Sequence, residues 1–194
     1  MMQDWKTEEQ KLYTPATKAH AVHIPKQFYF VIDGRGMVGS DDFLERLGVL
    51  TALSEAVRDI AQHGYRPPGF ADYTLYPPET LHHAEPSETF SLMIRQPEFI
   101  DNETIDRAFK QVHSERQFPL LPEVAFEEFT DGLSVQLRSS KKREPAHEAF
   151  GKIDQFLVAN ALKRRSSLYR ILYPETGEAM FDDVVYRIFA KEAE

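Results

Sequence analysis

Glu79 is the carboxylate in this sequence that best suits contact with a ligand, and the alternative is an exposed acid at a strand end. His82 and His83 follow three and four residues later. Neighbours on an extended segment point in opposite directions, so they rarely hold one metal ion, and no other cluster has ligand spacing. We therefore expect no metal site. His82 is a candidate polar group of a pocket or, alternatively, an exposed loop histidine.

Arg170 and several aromatic residues extend the set of candidates. Arg170 lies among apolar residues in a predicted strand, so in a cleft it would need an acid or an anionic ligand nearby. Otherwise its side chain faces solvent. Tyr73, Tyr76 and Phe90 are predicted on two central strands, where each ring either packs in the core or meets a ligand.

Other familiar chemistries are excluded by the sequence. Gly34-x-Gly36 lacks the lysine of a phosphate-binding loop, and Gly39 is wrongly spaced for a dinucleotide fingerprint, so the glycines indicate a turn. The chain contains no cysteine, which excludes disulfides, thiolate metal sites and a cysteine nucleophile. No serine lies in a nucleophile elbow.

Composition limits the class of protein. The chain has 194 residues and a formal net charge of −8, which argues against a nucleic-acid-binding face. About two dozen residues precede the first predicted strand, too few for a helix-turn-helix. The N-terminus has no apolar signal-peptide core and no stretch is long enough to span a membrane. We expect a cytoplasmic protein that binds neither nucleic acid nor membrane.

The first half of the chain, about 26–116, predicts the order strand, helix, strand, strand. After a short helix at Trp5–Tyr13, a strand is expected at 27–33 and an amphipathic helix from about Asp41 to His63. The next predicted elements are a strand at 72–76, a loop at 82–88, a strand at 89–95 and a helix from Asp101 or Asn102 to Glu115.

The second half, about 120–192, repeats that order. Strands at 123–129 and 133–139 are expected to form a hairpin around Thr130-Asp131-Gly132. A helix opening at Pro145 and carrying Leu162, and strands at 168–173 and 184–190, complete the half. Few helices and antiparallel partners predict an α+β fold: a duplicated β-α-β-β module with pseudo-twofold symmetry, forming one domain with helices on one face of an antiparallel sheet.

An ordered set of short motifs along nearly the whole chain resembles the GyrI-like small-molecule-binding domain family in its standalone form. The motifs are Asp4-x-Lys6, Lys11-Leu12-Tyr13, Ile24-Pro25, Phe30-Val-Ile-Asp-Gly-x-Gly36, Phe43, Asp72-Tyr73, Pro78-Glu79, the run Met93–Ile100, Gly132, Val135-Gln136, Glu144-Pro145 and Val185-x-Arg187. The resemblance implies a ligand cleft where the two modules meet. Some standalone relatives are hydrolases of small electrophilic compounds, and others are effector domains of transcription regulators.

Several positions depart from the family pattern. Leu81-His82-His83 stands where the family has tryptophans, Ser139 stands in the region of a family histidine, and Leu168 and Arg170 replace the pocket glutamate and tyrosine. The resemblance, with these departures, predicts eight ligand-binding residues: Phe30, Tyr73, Glu79, His82, Phe90, Ser139, Leu168 and Arg170.

The predicted function is small-molecule binding in an aromatic-lined cleft, for effector sensing or sequestration, without a cofactor. The alternative is a hydrolase of small electrophilic compounds, but loss of the family carboxylate predicts no such activity. The expected ligand is hydrophobic or aromatic, and a regulator or a second copy of the chain is a possible protein partner. Because Leu168 and Arg170 share a strand face, we expect a neutral or anionic ligand, and a neutral one if an acid pairs with Arg170.

Overall fold

The computed structural model describes residues 3–83, 88–140, 142 and 144–193. Within these residues, three long helices lie outside a six-stranded antiparallel sheet. They are α3 (Asp41–His63), α4 (Asn102–Glu115) and α5 (Ala146–Ala159), and two one-turn helices, α1 (Trp5–Glu8) and α2 (Gln10–Tyr13), precede the first strand. The predicted long helices are confirmed, and the single predicted helix at Trp5–Tyr13 is two turns separated at Glu9.

The sheet closes on itself. Its strands are β1 (His20–Arg35), β2 (Pro78–His83), β3 (Thr89–Gln96), β4 (Ala125–Ser140), β5 (Leu162–Leu172) and β6 (Asp183–Glu192), in the order β1-β3-β2-β5-β6-β4, with β4 paired to β1. Each half contributes three neighbouring strands, and in each half the last strand lies between the first two, as β1-β3-β2 and β4-β6-β5. The predicted α+β fold and duplicated β-α-β-β order are confirmed, and the halves meet at two antiparallel seams, β1–β4 and β2–β5.

Local sequence explains where the first long helix begins. The Ser40 side chain accepts a hydrogen bond from the Phe43 amide, and Asp41 and Asp42 lie in the positive first turn. Gly64 ends the helix. Its apolar side then packs on Phe30 and the other residues that β1 and β3 turn toward the helices.

The strand predicted at 72–76 is wrong. Residue Tyr73 forms only an isolated bridge with Gln3, and the strand begins at Pro78. Proline is tolerated at the first position of a strand, where no ladder hydrogen bond is lost. The apolar residues of 72–76 pack instead against the described residues that precede β1, 3–19, here called the N-terminal segment. His82 and His83 consequently belong to β2 rather than to a loop, and residues 84–87 of that predicted loop lie outside the described residues.

The hairpin predicted around Thr130-Asp131-Gly132 is also wrong. β4 is a single strand that pairs with β1 on both sides of this point, with Gly132 opposite Ile24 and Thr130 opposite Lys26. Gly132 has a φ of 65°, which bends the strand without reversing it. Asp131 therefore lies in mid-strand, where its side chain is buried.

Three boundaries differ from prediction. β1 begins at His20 and β5 at Leu162, each several residues earlier than expected. Leu162 is therefore a strand residue and not part of the fifth helix, which stops at Ala159 before Ala161 takes a left-handed φ of 52°. The strands predicted at 89–95 and 184–190 are confirmed. In the described part of the chain, no helix is long and apolar enough to cross a membrane.

Candidate functional site

Strand alternation divides the sheet residues between two faces. One face packs on the three long helices, and the other faces the space that the sheet encloses, here called the inner cleft. Buried polar and charged side chains collect in the inner cleft from all six strands: Tyr29, Glu79, Arg95, Asp131, Gln136, Arg170 and Arg187. Buried charges of this number require partners, and the pairing defines the site.

Arg170 is held at the β2–β5 seam by two acids. Its Nε and Nη2 donate to the two carboxylate oxygens of Asp131 at 2.7 and 3.0 Å, a bidentate pair. Its Nη1 lies 3.6 Å from Glu79 Oε2 and donates to the Met93 sulfur. The side chain has no solvent exposure, so Asp131 neutralises a charge that would otherwise be costly to bury.

Three aromatic rings surround the same guanidinium. Its central carbon lies 5.1 Å from the ring centroids of Tyr29 and Phe129, and 5.9 Å from that of Phe189. At these distances the ring faces attract the cation, an effect that strengthens where water is excluded. Carboxylates and rings together make a cation cage that is filled by a side chain of the protein itself.

Glu79 is less well satisfied than Asp131. Its Oε1 accepts a hydrogen bond from the Tyr29 hydroxyl at 3.5 Å, whereas Oε2 has no hydrogen-bond partner among the described residues. Burial raises the pKa of the Glu79 carboxyl, and the positive charges of Arg170 and Arg187 act in the opposite direction. Burial also raises the pKa of Tyr29, which keeps its phenol protonated as a donor.

A chain of polar contacts continues from Glu79 to the N-terminal segment. The Gln27 amide nitrogen donates to the Tyr29 oxygen at 2.7 Å, and its oxygen accepts from Arg95. Arg95 Nη1 donates to Glu9 Oε2 at 2.6 Å. Glu9, between α1 and α2, therefore helps to close one end of the inner cleft with a charged contact.

Residues of β4 and β6 also contact the N-terminal segment. Arg187 donates to the Leu12 carbonyl at 2.9 Å and to the Gln136 side-chain oxygen at 2.8 Å. The Gln136 nitrogen donates to the Lys11 carbonyl at 2.5 Å. Since Gln136 and Arg187 belong to the second module and Arg95 to the first, the N-terminal segment connects both modules.

The opposite end of the inner cleft carries a cavity of about 270 Å³, here called the mouth pocket. Leu81 and Leu168 supply its apolar wall from the two sides of the β2–β5 seam. Asp33, which accepts a hydrogen bond from Ser91 at 2.7 Å, and His83 supply polar groups at its rim. The pocket therefore combines apolar walls from both modules with a polar edge.

Glycine is required beside the mouth pocket. Gly34 is a strand residue paired with Phe90, and the Phe90 ring lies where a β-carbon at position 34 would be. Gly36 has a φ of 99° and makes the turn that was predicted for both glycines. Gly34 thus permits a close approach of an aromatic ring rather than forming the turn.

The structure brings only part of the predicted site together. Glu79, Leu168 and Arg170 face the inner cleft, and Phe90 and Leu168 line the mouth pocket. Phe30, His82 and Ser139 lie on the helix-facing side: Phe30 packs on Phe109, His82 contacts Thr80 at 2.8 Å and Ser139 donates to Glu144 at 2.8 Å. Tyr73 is buried outside the sheet, beside Tyr76 and Phe99.

Asp131 is the main residue that sequence reasoning missed. An Asp-Gly pair between two apolar runs is a strong hairpin signal, and this signal hid a strand residue that points inward. The prediction that a buried Arg170 needs an acid was the clue to such a partner. Among the described residues, no group of three or more acids and histidines could hold a metal ion.

The fold and site define a duplicated α+β domain with a polar interior, and solved structures share that fold. No protein-family model and no curated protein sequence matches this chain. A solved structure described as a hydrolase from Listeria innocua has a TM-score of 0.85 at 18% identity, covering 97% of this chain and 100% of that one.

Two further solved structures are similar. A second hydrolase structure from Listeria innocua has a TM-score of 0.85 at 18% identity, covering 98% of this chain and all of that chain. The C-terminal domain of EcmrR has a TM-score of 0.55 at 11% identity, covering 94% of this chain and 99% of that domain. At these identities the likeness establishes the fold alone.

Proposed function

We propose that this protein is a GyrI-like small-molecule-binding protein that takes an uncharged, largely apolar or aromatic ligand at the mouth of the inner cleft. The observation that carries the proposal is the mouth pocket, with Leu81 of one module opposite Leu168 of the other at its wall. A volume of about 270 Å³ lies just below the usual range of roughly 300–1,000 Å³ for ligand pockets, which favours a ligand of fragment size.

The charge preference follows from the residues behind the pocket. Leu81 lies opposite Arg170 on the neighbouring strand, so the guanidinium is adjacent to the pocket wall but already paired with Asp131. A paired guanidinium offers little attraction to an anion. A cation gains nothing from the cage, because the cage is occupied. These two facts favour a neutral ligand, which would bind through apolar contacts with the pocket wall and through the polar groups at the rim.

Hydrolysis is less well supported than binding. Glu79 has the raised pKa that suits a general acid, but its side chain is fully buried and does not line the mouth pocket. A general acid must come within hydrogen-bond reach of the substrate. We expect no turnover of an aryl epoxide. Turnover that Glu79→Gln abolishes would contradict this expectation and assign catalysis to Glu79.

A titration with three matched ligands tests the binding proposal. Naphthalene bearing a hydroxymethyl, a carboxylate or an aminomethyl group is titrated into the protein by calorimetry. The neutral compound should bind most tightly, and Leu168→Phe should weaken it at least tenfold by filling the pocket. The matched control is Leu44→Phe, at an exposed position of α3, which should change nothing. Tightest binding by the cationic compound, or no effect of Leu168→Phe, would contradict the proposal.

Effector sensing, sequestration and a regulator or homodimer as partner remain proposals that depend on this binding. The position of the pocket at a seam between modules supports them, because a ligand there contacts strands of both halves.

A further inference from the structure

A second and larger cavity lies on the helix side of the sheet, away from the mouth pocket. Its volume is about 440 Å³, within the usual range for ligand pockets. The N-terminal segment, α3, residues 74–78 and residues 174–177 enclose it, so both modules and the N-terminal segment contribute. We call it the Trp5 pocket, after the residue that lines it from the N-terminal segment.

The walls of the Trp5 pocket are apolar and well fixed. Trp5, Tyr76 and Met180 are 5%, 8% and 6% exposed, and Leu47 and Ile94 complete the wall. Trp5 is anchored by a hydrogen bond from its indole nitrogen to the Leu75 carbonyl at 2.7 Å. A cavity with fixed aromatic and aliphatic walls is preformed for an apolar body, which reduces the entropy lost on binding.

Two positive charges line the same pocket. They belong to Lys6 and Arg58, and among the described residues neither has a carboxylate oxygen within 4.0 Å. Lys6 lies over the Trp5 ring at 5.5 Å. Glu175 is the one acid among the described residues that line the pocket, and it lies 3.6 Å from Arg138, so its charge is partly neutralised. The pocket thus joins an apolar interior to an excess of positive charge.

We propose that the Trp5 pocket binds a small amphiphilic anion, a carboxylate carried on an aliphatic or aromatic body. The apolar part would lie against Trp5, Tyr76 and Met180, and the carboxylate would face Lys6 and Arg58. Charge complementarity selects this class over an amine of the same shape, which would meet two like charges. The site is separate from the mouth pocket in position, lining and preferred charge.

The test uses three ligands with the same ten-carbon chain: decanoate, decanol and decyltrimethylammonium. Trp5 is the only tryptophan of the chain, so its fluorescence reports on this pocket directly. Decanoate should change the emission at the lowest concentration, and decyltrimethylammonium at the highest. A thermal-shift titration provides a second measurement, since a ligand of the folded state raises the melting temperature.

Three variants and two controls complete the test. Lys6→Gln and Arg58→Gln should each weaken decanoate binding about two- to fivefold, as expected for a solvent-screened charge pair. Thr51→Phe should fill the pocket and abolish binding. The control Arg164→Gln removes a partly exposed arginine that pairs with Asp154 elsewhere, and the control Leu168→Phe fills only the mouth pocket; both should leave binding unchanged. Equal affinity for the ammonium compound, indifference to both glutamine variants, or no binding by either measurement would overturn the proposal.

Discussion

In the inner cleft, Arg170 is closely paired with an acid, whereas Glu79 is less well paired with an arginine. Three buried or nearly buried arginines, Arg95, Arg170 and Arg187, share this interior with Glu79, Asp131 and Glu9. Asp131 and Glu9 each make short contacts with an arginine, whereas Glu79 lies 3.6 Å from its nearest guanidinium nitrogen. Glu79 is therefore the acid whose ionisation is least well compensated.

This difference predicts a pH dependence. Burial raises the folded-state pKa of Glu79 above its ordinary value of 4.5, so the folded protein holds this proton more tightly than the unfolded chain. The contribution of Glu79 to stability is full below pH 4.5 and is lost as pH rises through the folded-state pKa. Glu79→Gln should therefore gain stability relative to wild type as pH rises above 4.5, measured by urea unfolding at several pH values.

Glu144 provides a control with the opposite sign. Hydrogen bonds from Lys152 and Ser139 lower the pKa of Glu144, so its contribution is present above pH 4.5 and is lost as pH falls. Glu144→Gln should accordingly be destabilising at pH 7 and nearly neutral at low pH. If both variants show the same pH trend, a general charge effect would account for the data and the role of Glu79 would be refuted.

The face on which a side chain lies could be predicted where it depends on the residue's own strand alone. That Leu168 and Arg170 share a face follows from the alternation of side chains along a strand, and both face the inner cleft. The bidentate partner of Arg170 was not predictable, because Asp131 is 39 residues away and its own neighbourhood is typical of a turn. His82 and Ser139 were placed by resemblance, and the helices cover the face on which they lie.

At the scale of elements, β4 depends on one backbone angle. Gly132 takes a φ of 65°, where a residue such as alanine costs about 1–2 kcal/mol. An added β-carbon would meet Arg165 at 3.5 Å, an ordinary contact, so the expected cost is conformational rather than steric. Gly132→Ala should therefore lower the free energy of unfolding by about 1–2 kcal/mol, measured by denaturant titration.

The same substitution elsewhere should have the opposite effect. Gly151 lies within α5, and a β-carbon added there would meet no atom within 4 Å outside its own helix backbone and chain neighbours. Gly151→Ala should raise the free energy of unfolding by about 0.5–1 kcal/mol, because alanine loses less entropy in a helix. A neutral result for Gly132→Ala would show that β4 can bend at this point without a left-handed residue.

Element prediction succeeded where periodicity and end signals agreed. α3 has an apolar stripe, a capping serine and a terminal glycine, and its predicted bounds match the structure. Residues 72–76 have strand-forming types but no neighbouring strand to pair with, and the N-terminal segment takes up their apolar side chains instead. Whether an extended segment joins a sheet depends on such distant contacts, which the local sequence does not contain.

At the scale of the whole molecule, the two modules are joined in three places. The β1–β4 and β2–β5 seams close the sheet, and the N-terminal segment contacts Arg95 of the first module and Arg187 of the second. The duplicated order of elements was predictable from the sequence. Closure of the sheet was not, since pairing between β1 and β4 joins residues about a hundred positions apart.

Three connections of this kind predict that the modules unfold together. Ile153 of α5 is fully buried in the second module, and Ile153→Ala should cost about 2–5 kcal/mol. Trp5 reports on the N-terminal segment and first module, and Trp5→Phe with Phe156→Trp moves the reporter to α5. In urea titrations, Ile153→Ala should lower both transition midpoints equally, because neither module keeps its sheet edges covered without the other.

The control Val158→Ala, at a residue of α5 that is 82% exposed, should shift neither midpoint. A shift confined to the α5 reporter would show that the modules unfold independently.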